Sequence, residues 1–299
     1  MKTAVLVTTL LLAACRAPDG TDEPAGAHPA TGAWLDCSAP RRIAILPAQI
    51  REASGIAPSV LHPGSFWINN DSEGEPALHA IDRQGRLLAR LSLPASVPQE
   101  DWEDIAVAPC GDRSCIYVAD IGDNLHHRSD IAILRFPEPA RDDSIQAVQR
   151  FPIRYPDGPH DAEAMFVLPD ESVFIITKGR DGAATVYRYP GSLRPGTVTL
   201  QPVQQLTAGV AQLPDLVTGA AATPDGKIIA VRTYTRFDLF HFSADTLALI
   251  GSADLSPLRE PQGEGISISA DGTIMLVSET GPTADPPPLS HTNCNLPPQ

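Results

Sequence analysis

A pattern that recurs about every fifty residues constrains the fold of this chain more than any other feature. Five segments each pair an acidic or hydroxyl residue with a small or acidic one and continue into a short apolar run. They are Ser54-Gly55-Ile56-Ala57, Glu103-Asp104-Ile105-Ala106, Glu163-Ala164-Met165-Phe166, Thr218-Gly219-Ala220-Ala221 and Glu264-Gly265-Ile266-Ser267, at intervals of 49, 60, 55 and 46 residues. Each is followed by turn-forming Pro, Gly and Asp, as in His62-Pro63-Gly64 or Pro224-Asp225-Gly226, and then by a β-rich run such as Phe66-Trp67-Ile68 or Ile116-Tyr117-Val118. Further strand-like runs, 77–81 with 87–93 and 131–136 with 147–153, complete the units. Four short strands repeating at this length predict an all-β fold, a single β-propeller of five blades. Residues 191–214 leave room for a sixth. No amphipathic helix of ten or more residues is legible, and 30 prolines oppose one.

The fifth unit runs out of chain after two clear strands, while Arg41-Arg42-Ile43-Ala44-Ile45-Leu46 is a strand without a unit. Closure of the ring by this N-terminal strand resolves both and removes an open sheet edge. The cysteines agree. Cys37 precedes that strand and Cys294 lies near the C-terminus, so a Cys37–Cys294 bridge would latch the ring. Cys110 and Cys115 flank the four-residue turn of one hairpin, where cross-strand spacing suits a second bridge. The fifth cysteine, Cys15, ends Leu12-Ala13-Ala14-Cys15, behind Met1-Lys2-Thr3 and an apolar stretch too short to span a bilayer. This looks like a bacterial lipobox. The expected organisation is a lipoprotein signal peptide over 1–14, an acylated Cys15 with a flexible tether over 15–33, and the propeller over 34–299. The expected location is the bacterial cell envelope, with the membrane reached through the lipid anchor alone and the folded part monomeric. Arg16, where an Asp would retain a lipoprotein at the inner membrane, favours the outer membrane of a Gram-negative cell. A net charge of -14 opposes a nucleic-acid partner.

In a propeller the first strand of each blade lines the channel and the second returns beside it, so first-strand starts and second-strand ends share one face. Here the starts supply Glu52, Asp101, Glu103, Asp104, Asp161, Glu163 and Glu264, and the ends Asn69 to Asp71, Asp120, Asp123, Asn124, Lys178, Arg232 and Glu279. One mouth therefore collects the carboxylates. Ca²⁺ takes about six to eight oxygen ligands, which side chains from several blades can provide. Asp120-Ile121-Gly122-Asp123-Asn124 is the best local candidate, Gly122 letting the loop bring Asp120, Asp123 and Asn124 toward one centre, with Asp161 as a further ligand. The alternative is a turn in which Asp and Asn bond local backbone. Lys178 and Arg232 suit either an anionic group of a ligand or pairing with channel carboxylates. Glu103, Asp104, Glu163 and Glu264 are candidate catalytic carboxylates, or else pins that bond the backbone of the neighbouring blade. His126-His127 and His160 match no zinc cage, and no Gly-x-Ser-x-Gly elbow occurs. Trp67 and Trp102 are expected between blades.

The stretches around these residues, Glu52 to Ala57, Asn70-Asp71-Ser72, Asp101 to Ala106, Asp120 to Asn124 with Arg128, Tyr155-Pro156-Asp157-Gly158, Asp161 to Ala164, Val231 to Tyr234 and Gln262 to Gly265, together resemble a group of secreted bacterial β-propeller proteins. That group is similar in layout to phytase-like (esterase-like) propellers, and the resemblance runs over about residues 48–281. It implies an exported propeller and, on its phytase-like side, Ca²⁺-dependent hydrolysis of a phosphoester or ester. Two functional classes follow. One is a non-catalytic propeller that binds a metal ion, ligand or protein partner in the envelope. The other is a hydrolase in which carboxylate-bound Ca²⁺ activates water and Lys178 and Arg232 hold the substrate anion. Propellers host both.

Overall fold

Each recurring segment forms the innermost strand of an antiparallel blade, and five such blades make a β-propeller. The computed structural model describes residues 33–72, 75–140, 144–281 and 286–297. The signal peptide, Cys15 and the tether up to residue 32 lie outside them. Blade 1 runs Ala53–Pro58, Ser65–Asn70, Ala77–Asp82 and Leu87–Ser92. Blade 2 runs Trp102–Cys110, Arg113–Asp120, Ile131–Pro137 and Gln149–Arg154, and blade 3 runs Ala162–Val167, Val173–Thr177, Ala183–Arg188 and Gln201–Val210. Blade 4 runs Val217–Ala222, Ile228–Thr233, Arg236–Ser243 and Thr246–Asp254. Blade 5 takes Gly263–Ile268, Thr273–Ser278 and Pro288–Asn293 from the C-terminal part of the chain, and its outer strand is Arg41–Ile45.

The ring thus closes as the sequence predicts. Arg41 pairs with His291 and Ile45 with Pro288, in antiparallel register. Cys37 is bonded to Cys294 just beyond that pairing, and Cys110 to Cys115 across the hairpin of blade 2. Residues 191–214 add no sixth blade. They supply the outer strand of blade 3 and a two-residue strand, Val198–Thr199, that extends blade 2 in parallel. Ala33–Trp34 extends blade 4 in the same way. Two-residue strands carry no periodicity, so the sequence gives no sign of either.

Five apolar clusters fill the five gaps between neighbouring blades. Trp67 and Trp102 lie fully buried in the gap between blades 1 and 2. Phe166 and Phe174 stack 4.8 Å apart in the gap between blades 3 and 4. Glu138 is an additional tie that the sequence pattern does not flag. This buried carboxylate accepts hydrogen bonds from Ser59 (2.6 Å), Ser114 (2.7 Å), the Trp67 indole (3.0 Å) and the amides of Val60 and Leu61, joining blades 1 and 2.

Cys37–Cys294 spans 257 residues and Cys110–Cys115 spans 5. By chain entropy alone the first constrains the denatured chain by about 5.5 kcal/mol and the second by about 2 kcal/mol. C37S/C294S is therefore expected to melt well below C110S/C115S in non-reducing calorimetry. Equal losses would show that the latch does not hold the ring.

Candidate cation site at the acidic mouth

The recurring acidic or hydroxyl residue has a single structural meaning. In each first strand the pairing register breaks at that residue: at Ser54, Glu103, Glu163, Thr218 and Glu264. These are β-bulges, which leave one residue outside the ladder and re-aim its side chain. The residue after each bulge marks the waist of the channel, where the inner strands come closest. A Cβ on Gly55 would lie 2.7 Å from the Ile105 amide, one on Gly219 2.8 Å from the Glu264 carbonyl, and one on Gly265 2.7 Å from the Ser54 carbonyl. Only small residues fit there. Asp104 is the exception, because its carboxylate reaches across the axis to accept from the amides of Met165 (2.8 Å) and Ala220 (3.1 Å) while capping Ile105 (2.8 Å). One buried side chain therefore ties blades 2, 3 and 4. Burial pushes its carboxyl up to about 8, against the pull of those three amides.

Above the waist, carboxyls of four blades converge. Glu103, Asp161 and Glu163, all buried, offer oxygen atoms within 4.8 Å of one another, and so do Asp71, Asp101 and Glu103. Glu103 belongs to both groups. Asp161 Oδ2, Asp71 Oδ1 and Glu264 Oε2 are buried there without a hydrogen-bond partner. The facing cation is Lys178, which bonds Glu163. Burial works to discharge Lys178, but its pairing with Glu163 outweighs it and keeps the ammonium protonated. Burial and mutual repulsion raise the acids. Glu163 and Glu279 reach about 7 and Asp71 about 9, while Glu103 and Glu264 stand well above the usual carboxylate range.

Several predicted ligands go elsewhere. Asp120 binds Arg128 (2.8 Å) and the Asp101 amide (3.2 Å). Asp123 caps the amides of His127 and Arg128, the local turn that was the alternative reading, and Asn124 accepts from Arg180 (2.8 Å). These three do not form one oxygen cage. Gly122 is small for a different reason: a Cβ there would meet Glu103 Oε1 at 2.2 Å and Asp101 Oδ2 at 2.5 Å, so the loop closes over the acids. Asp161 does join Glu103 and Glu163. Arg232 is wholly buried, donates to the Gly265 and Val277 carbonyls and pairs with Glu260, which leaves it no part in holding an anion. Lys178 is likewise committed to Glu163. Pinning of blades is carried by Asp104 and by the hydroxyl bulges: Ser54 donates to the Glu103 carbonyl (2.5 Å) and Thr218 to the Glu264 carbonyl (3.2 Å). His126 pairs with Asp181 and His160 with Asp157, outside the acid groups. Arg180, 3.9 Å from Asp161 and 40% exposed, is the accessible cation at the rim and was not singled out by the sequence.

No protein-family model matches the chain, and no curated protein is significantly similar to it. Among solved structures it is similar to the soluble aldose sugar dehydrogenase of Escherichia coli in its apo form, with TM-score 0.54 and 11% identity over 87% of this chain and 100% of that one. It is similar also to the PQQ-bound aldose sugar dehydrogenase of Streptomyces coelicolor, with TM-score 0.52 and 11% identity over 87% and 99%. At such identities the likeness is one of fold.

The raised acids fix the sign of a pH effect. Unfolded carboxyls titrate near 4, whereas Glu163, Glu279, Asp104 and Asp71 hold their protons to about 7, 7, 8 and 9. Between those limits the folded state binds more protons, so stability falls as pH rises. In chelator, the melting temperature is expected to drop from pH 5 through pH 9. A rise over that range would contradict the burial of these acids.

Proposed function

We propose that this chain is an exported, lipid-anchored β-propeller of the bacterial envelope whose acidic mouth binds a divalent cation, Ca²⁺ by its donor chemistry. The observation that carries this reading is the convergence of Glu103, Asp161 and Glu163 within 4.8 Å, supported by Asp161 Oδ2, which is buried without a hydrogen bond. Buried like charges must be protonated, paired or metal-bound, and Lys178 compensates one of them. The donors are all oxygens, which suits a hard cation and not zinc. PQQ, bound by one structural neighbour, is itself an anion. The two buried cations of this mouth, Lys178 and Arg232, are both taken by glutamates.

Ca²⁺ at a hundred times its dissociation constant adds about 2.7 kcal/mol to the folded state. The expected result is a melting temperature several degrees higher in Ca²⁺ than in EDTA. Glu103→Gln should lessen the fall of the melting temperature with rising pH in EDTA, by removing an acid that must otherwise ionise while buried, and abolish the response to Ca²⁺. An unchanged melting temperature in the parent chain would sink the cation site. The anchor is checked separately by palmitate labelling, which Cys15→Ala should eliminate.

A hydrolytic role is favoured by one further feature. Glu163, held near 7, can give and take a proton at neutral pH, and the exposed Arg180 stands beside Asp161 for a substrate anion. Phosphatase and esterase panels decide it: turnover that is lost in Glu163→Gln supports a hydrolase, and no turnover leaves the binding role.

A further inference from the structure

The two ends of the channel differ in chemistry. Below Asp104, on the side away from the carboxylates, the later halves of the five first strands and the turns after them enclose a cavity of about 400 Å³. All five blades line it, through residues such as Ala57, Ala106, Val167, Ala222 and Ile268. Its size lies within the range of small-ligand sites, roughly 300–1,000 Å³. Small alanines keep it open where leucines would fill it. Among the lining side chains one carries a charge, Arg113 at the rim. Its partner is the neighbouring Asp112 at 3.6 Å, with both side chains largely exposed (62% and 92%). Such a pair is weak and exchanges readily for a better anion. Glu138, the buried acid close by, is occupied by the donors of Ser59, Ser114 and Trp67. Val60, which is 59% exposed, continues the apolar wall outward.

We propose that this cavity binds a single hydrocarbon chain ending in an anion, with the chain among the alanines and the anionic end on Arg113. An apolar space of this size selects an apolar body, and one accessible guanidinium at its mouth selects a charged end of opposite sign. The site is separate from the acidic mouth and stands whether or not a cation binds there.

The test is calorimetric titration of dodecanoate into the full chain carrying Cys15→Ser, which dispenses with detergent. The expected result is saturable one-to-one binding with a negative heat-capacity change. Arg113→Glu should weaken it at least tenfold, and dodecanol should bind the parent chain no better than dodecanoate binds that variant. Ala106→Leu with Ala222→Leu, both half-buried against the cavity, should reduce binding while leaving the circular dichroism spectrum unchanged. If that pair does not fold, the exposed Arg113→Glu decides alone. Absence of saturable heat, or binding indifferent to Arg113→Glu, overturns the proposal. A lysophospholipid of the same chain length distinguishes sources: tighter binding than dodecanoate identifies a membrane lipid, weaker binding a free fatty acid.

Discussion

Five strands that converge on one axis must pass each other at backbone distance, and this close approach organises the rest of the molecule. Gly55, Gly219 and Gly265 answer it by having no side chain to collide. Asp104 answers it by filling the axis and bonding the amides of Met165 and Ala220, inner-strand donors that have no ladder partner on the channel side. Buried amides without acceptors cost free energy. A carboxylate that satisfies two of them from different blades therefore serves packing and hydrogen bonding together, even though burial drives its own titration upward.

The bulges that permit this convergence also produce the site. Each places one residue outside the ladder immediately above the waist. Where it is Ser54 or Thr218, the hydroxyl binds the carbonyl of the next blade's bulge and the position is structural. Where it is Glu103, Glu163 or Glu264, the carboxylate has neighbours of its own sign and one lysine to share. The same geometric device thus makes either a pin or a buried acidic group able to hold an ion, according to the side chain placed on it. Below the waist the strands diverge again and the lining turns apolar, so the channel is two chemically distinct chambers.

Much of this was legible in the sequence, for an identifiable reason. Blade count, ring closure by residues 41–46 and both disulfides follow from the repeat and from arithmetic on chain ends, which depend on topology alone. The mouth's composition was legible too, because strand direction places starts and ends of strands on one face. Which side chains meet was not. Asp120-Ile121-Gly122-Asp123-Asn124 reads as a local cage, yet Gly122 is small to admit Glu103 and Asp101, and Asp120 is drawn to Arg128. Arg232 reads either as an anion contact or as a partner of carboxylates, and it takes the second role, with Glu260 and carbonyls of blade 5. Glu138 and Glu260 carry no motif. Except for Asp120 with Arg128, eight residues on, these contacts join residues well separated in the chain, and sequence spacing encodes nothing about them.

The central claim is that Asp71 and Glu103, above Asp104, are held protonated by burial and become ligands by giving those protons up. Metal binding then has to release protons. The direct measurement is calorimetric titration of Ca²⁺ at pH 7 in two buffers of different ionisation enthalpy. The account predicts binding heats that differ between the buffers by an amount corresponding to the release of one or more protons per ion. Ca²⁺ binding with no proton release, or no binding heat in either buffer, would contradict it.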